Sequence, residues 1–161
     1  MSAARRVSSS TASSNHDVMA TGSSIPPVHT AGIHHLGVAV PDLDEAIATY
    51  ARLLGATLEH RATVADQGVE AASVLAGGSR IELLAPTAAD TPVGRFLAKR
   101  GPGMHHVAYE VDDVAAALAE LARDGAELID HEPRSGLFGL QVAFVHPDAV
   151  HGVLTEVVSV G

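Results

Sequence analysis

The chain has 161 residues, 47% of them hydrophobic, which suits one domain or two small halves sharing a core. Its formal net charge of −9 argues against a nucleic-acid binder, which relies on Lys and Arg, but leaves room for a small anionic ligand. Cysteine is absent, which excludes disulfides and thiolate metal sites, and with 3% aromatics and no Trp the core must be built from Val, Leu, Ile and Ala.

Residues 1–30 are rich in Ser, Thr, Ala and Pro without hydrophobic periodicity, so a disordered leader is expected. A transit peptide and a mis-assigned start, with Met19 as second initiator, are both open readings of it. It has no apolar h-region, and no apolar run in the chain reaches the ~18 residues of a membrane span. A cytoplasmic protein with no membrane partner is expected.

Order is expected from Ile33. HHLGVAV (34–40) reads as a strand ended by Pro41. A helix over 42–56 follows: Asp42 is placed to cap it, Leu43, Ile47, Tyr50 and Leu54 recur at three- to four-residue spacing, and Gly55 ends it. Strands are predicted at 57–64, 69–76 and 80–86, the last two joined by a Gly77-Gly78 turn, then a short helix at 91–101. The pattern then restarts. Residues 104–128 parallel 33–58, with His34, His35, Val40 and Asp42 matching His105, His106, Val111 and Asp113 at one offset of 71. Strands near 126–131, 140–146 and 152–160 complete the second copy. The expected fold is α+β: one domain over 31–161, with βαβββ modules at about 33–86 and 104–158 joined by the helix at 91–101.

Each module begins with His-His on a strand and ends on a strand holding one acid among apolar residues, Glu82 in RIELLAP and Glu156 in VLTEVV. Glu82 follows His35 by 47 residues and Glu156 follows His106 by 50. A carboxylate inside an apolar strand is costly unless paired or metal-bound. If a pseudo-twofold axis relates the modules, two imidazoles and two carboxylates converge on it, a donor set suited to an octahedral divalent ion with two positions open. Strand alternation allows at most one His of each pair to reach that cavity and leaves open which one.

At these residues the chain resembles the vicinal oxygen chelate superfamily. Within it, IHHLGVAVPDLDEA, TPVGRFLAKRGPGMHHVAYEVDD and FVHPDAVHGVLTE are similar to methylmalonyl-CoA epimerases over about 33–158. The resemblance implies a cleft of curved mixed β-sheet, a homodimer, and the metal ligands His35, Glu82, His106 and Glu156, with Glu82 standing where some epimerases carry Gln. It implies one divalent ion per site, Co2+ foremost, with Mn2+, Ni2+, Zn2+ or Mg2+ as alternatives. It further implies a CoA thioester substrate whose (2R) and (2S) forms interconvert by proton abstraction and return at C2 through a metal-stabilised enolate, Glu156 being one catalytic group. Some bacterial epimerases place a second catalytic Glu four residues after a Gln-Gly-Val Gln. That position is Ala71 here, so Glu70 is the candidate only if a bulge reorients it, with Gln67 holding a water or His151 as substitutes. His146 reads as structural, and Arg95, Lys99 and Arg100 either meet CoA phosphates or form a solvated face. The alternatives are a glyoxalase I-type lyase acting on a thiol hemithioacetal and a non-catalytic small-molecule-binding protein of the same fold. A ring-cleaving dioxygenase would leave one carboxylate unused.

Overall fold

The computed structural model describes residues 27–161, so most of the expected leader lies outside the described residues. The elements in chain order are β1 (Gly32–Ala39), α1 (Leu43–Leu54), β2 (Thr57–Val64), β3 (Val69–Ala76), β4 (Ser79–Pro86), α2 (Pro92–Arg100), β5 (Gly103–Glu110), α3 (Val114–Arg123), β6 (Arg134–Ser135), β7 (Gln141–Val145) and β8 (Thr155–Ser159). Both long helices start on the repeated acid. The Asp42 carboxylate accepts the Glu45 N–H at 2.8 Å and that of Asp113 accepts the Ala116 N–H at 2.9 Å. Gly55, at φ 61°, supplies the left-handed residue that ends α1.

The strands form one mixed sheet in the order β2-β3-β4-β1-β5-β8-β7-β6. β1 and β5 pair antiparallel at its centre, and each pairs parallel with the last strand of its own module. Alternation then sorts the side chains. Leu83, Ala72 and Val74 pack with Leu43, Ile47 and Tyr50 under α1, while Val157 and Ala143 pack with Val114, Ala117 and Leu118 under α3. Their strand neighbours point to the other, concave face and line a cleft.

The second module departs from expectation at 126–131. No strand forms there, only an isolated bridge between Leu128 and Val145. The N–H groups of Ile129 and Asp130 both donate to the Phe144 carbonyl, and the Asp130 carboxylate accepts the Phe144 N–H at 2.9 Å, so the ladder cannot continue. The pairing resumes in β6, which reaches across to the first module. Arg134 donates to the Asp66 carbonyl at 3.1 Å, the Gln67 amide donates to the Ser135 carbonyl at 3.4 Å, and the Phe138 ring stacks on His60 at 4.5 Å between centroids.

Candidate metal centre

The ladder between β1 and β5 is interrupted twice, symmetrically. Pairing passes from Ile33↔Tyr109 to His35↔Ala108, skipping His34, and from Gly37↔His106 to Val38↔Met104, skipping His105. Each skip is a one-residue bulge, which breaks the alternation that would send neighbours to opposite faces. Both members of each His pair therefore face the cleft, which corrects the expectation of one. His34 and His35 line one cavity, and His105 and His106 line another. The rings within each pair meet through Nδ1, at 2.8 Å for His34–His35 and 3.0 Å for His105–His106.

Register brings the four expected donors together. Gly37 pairs with Glu82 on one side and His106 on the other, and Ala108 pairs with Glu156 and His35. The His35 Nε2 lies 3.2 Å from Glu82 Oε2 and 3.1 Å from His106 Nε2, and the latter lies 3.0 Å from Glu156 Oε2. The two remaining His–Glu separations are 3.8 and 3.7 Å. Donors bound at about 2.1 Å to one ion stand about 3 Å apart when adjacent and about 4 Å when opposed. All four donor atoms lie within 4.8 Å of one another, so this neutral-nitrogen and carboxylate-oxygen set fits a divalent ion. Glycine at 37 is required for the arrangement. A Cβ there would stand 2.2 Å from His106 Cε1.

The site is nearly dry: Glu156 is 3% exposed, His106 3% and His35 6%. Burial, reinforced by the charges of Glu82 and Asp130, pushes the Glu156 carboxyl up to about 8. Burial also acts on Glu82, but the hydrogen bond from His35 and the surrounding imidazoles bring its net shift below the usual value. Burial holds His106 below its ordinary range and lowers His105 to about 4. The His106 imidazole is thus biased to the neutral form that a metal takes.

The structure does not bring Glu70 to this site. On β3 the cleft face carries Val69, Ala71 and Ser73, while Ala72 and Val74 pack toward α1, and Glu70 shares their face. No bulge interrupts the β3–β4 ladder, so nothing reorients it. Arg61 donates to Glu70 at 2.8 Å and also pairs with Asp44 of α1. Gln67, by contrast, lines both cavities. His146 caps the turn at Pro147–Val150, accepting the Asp148 N–H at 3.2 Å, and His151 is exposed at φ 51°. Of the basic residues on α2, Arg95 bonds the Asp90 carbonyl, whereas Arg100 lines a third cleft, of about 840 Å3, with Phe96, Met104 and both His105 and His106.

A model of the glyoxalase/bleomycin resistance protein/dioxygenase superfamily matches residues 34–144. The chain belongs to this superfamily. Among its curated relatives, human mitochondrial methylmalonyl-CoA epimerase is 37% identical over 77% of this chain and 71% of its own length. The ethylmalonyl-CoA/methylmalonyl-CoA epimerase of Cereibacter sphaeroides is also 37% identical, over 77% of this chain and 94% of its own. Methylmalonyl-CoA epimerase from Mycobacterium tuberculosis superposes with a TM-score of 0.79 at 36% identity, covering 82% of this chain and 89% of that one. A Streptomyces coelicolor methylmalonyl-CoA epimerase variant, solved with 2-nitronate-propionyl-CoA, gives a TM-score of 0.78 at 37% identity, covering 81% and 98%. The curved mixed sheet expected from sequence is the fold of these superfamily members.

Proposed function

We propose that this chain is an epimerase interconverting (2R)- and (2S)-methylmalonyl-CoA, with His35, Glu82, His106 and Glu156 holding one divalent ion, Co2+ foremost. The observation that carries this reading is the buried two-His, two-Glu set between two cavities, in a chain whose relatives are named for that reaction. Neither a lyase nor a non-catalytic binder is favoured by those relatives. The same reading makes the working form a cytoplasmic homodimer, as the family resemblance implies.

The substrate proton sits on a carbon between a thioester and a carboxylate, and its loss places a second negative charge beside the first. A divalent ion here supplies the Lewis acidity that offsets that charge. The residues supply orientation and proton transfer. Glu156, freed of its proton when the ion binds, takes the C2 proton on one face. Gln67, on the wall shared by both cavities, holds the water that serves the opposite face. The apolar wall of Val64, Val69, Leu84 and Val142 keeps bulk water from the carbanion. Arg100, on the rim, meets the CoA phosphates.

The test is deuterium uptake at C2 when the metal-reconstituted protein meets (2R)-methylmalonyl-CoA in D2O, followed by mass spectrometry. Uptake abolished by chelator and by His106→Ala is the expected result. No uptake with any divalent ion would overturn the epimerase reading and turn attention to thiol hemithioacetals.

A further inference from the structure

We infer that His34 and His105, the two bulged residues, are positioning residues: with an ion bound, each accepts a hydrogen bond from its neighbour's Nδ1–H and so fixes His35 and His106 in the tautomer that turns an Nε2 lone pair into the cleft. The inference rests on the ligand assignment above and extends it to the next layer of side chains.

In each pair two Nδ1 atoms stand 2.8 or 3.0 Å apart, a distance that one proton shared between them explains. That proton can sit on either nitrogen. The Nε2 atoms of His35 and His106 are the ones that converge on Glu82 and Glu156. To give those lone pairs to an ion, both rings must carry their proton on Nδ1, so His34 and His105 must accept through Nδ1. The bulges place them to do so. Without the skipped residue, His34 and His105 would alternate to the helix-covered face and leave both Nδ1–H groups without their present partners. The two arms then differ. The far nitrogen of His34 lies 3.3 Å from Arg80 Nη1, and Arg80 is clamped by Glu59 at 2.7 and 3.0 Å. His105 instead meets the Phe96 ring edge-on at 5.0 Å. With His34 protonated on Nε2, the Arg80 contact becomes donor against donor. Loading the site with an ion must therefore loosen Arg80 from His34, leaving it to Glu59, with no counterpart in the other arm.

Two measurements decide it. In the first, chelator-stripped protein is titrated with Co2+ by calorimetry and by the visible absorption of the bound ion. His34→Ala and His105→Ala should each weaken binding about 10- to 100-fold, and His34→Asn and His105→Asn, whose Oδ1 stands where Nδ1 stood, should recover most of it. Ala variants binding within twofold of the parent would overturn the inference, whereas a parent that binds no Co2+ would overturn the ligand assignment itself. The second measurement needs no variant. In 15N long-range correlation spectra of the Zn2+-loaded parent, His35 and His106 should be protonated on Nδ1, and His34 and His105 on Nε2. Protonated Nδ1 atoms on His34 and His105 would refute it.

Discussion

At the scale of single residues, the absence of a side chain at 37 matters as much as the donors themselves. Gly37 is where the His106 ring lies flat against the backbone, and its counterpart in the other module, Ala108, faces His35 across the ladder with a methyl group. Gly37→Ala should therefore push the His106 ring aside, costing about 1–3 kcal/mol of stability and weakening metal binding. Gly78→Ala, where an added Cβ meets nothing within 4 Å, is the control. Denaturant melts and a Co2+ titration of both variants check this; a Gly37→Ala protein matching the control would mean that the ring is free to move. The convergence of His35, Glu82, His106 and Glu156 was legible in the sequence because they recur symmetrically, each acid alone in an apolar strand. The inward turn of His34 and His105 was not. A bulge is a property of two strands in register, and neither strand alone records it. Glu70 was misdirected by the same logic in reverse: a bulge that would have rescued it is missing from β3.

At the scale of elements, boundaries were readable wherever a local cap set them. Asp42, Gly55, Asp113 and the Gly77-Gly78 turn act within their own segments, and α1, α3 and the β3–β4 hairpin fall where these residues put them. The stretch at 126–131 was misread because the side chain of Asp130 takes the Phe144 N–H of β7, a contact between segments distant in sequence. Asp42→Ala and Asp113→Ala should each cost about 1 kcal/mol, and the double variant should show their sum, since the caps share no partner. Metal affinity should be unchanged in all three, because α1 and α3 cover the face of the sheet opposite the site. Chemical denaturation alongside a metal titration separates the two effects, and a loss of affinity would show that the helices set the donor geometry.

At the scale of the whole molecule, the buried carboxyl ties folding to proton concentration. The folded protein holds the Glu156 proton up to about pH 8, whereas an unfolded chain releases it near the ordinary 4.5. The stabilisation is complete below 4.5 and is lost as pH rises towards 8, with a slope approaching about 1.4 kcal/mol per pH unit. His106 acts on the other flank. Its lowered value means that stability falls as pH drops below 6.5. Metal-free protein should therefore weaken from pH 6.5 to 8, Glu156→Gln should remove that decline, and metal uptake at pH 7 should release a proton. Urea melts of chelated protein across this range test it, parallel curves for parent and variant being the contrary result. The symmetry of the sheet has one more consequence. Ala31 donates to the Glu110 carbonyl just ahead of β1, and Glu110 pairs with Val158 of β8 on its other side. The first strand thus enters, and the last one leaves, two strand spacings apart, about 10 Å. A short splice across that gap, with a cut between α2 and β5, would yield a circular permutant that reads the modules in reverse order. The same four donors would converge, because their convergence depends on which strands are neighbours and not on which module is made first.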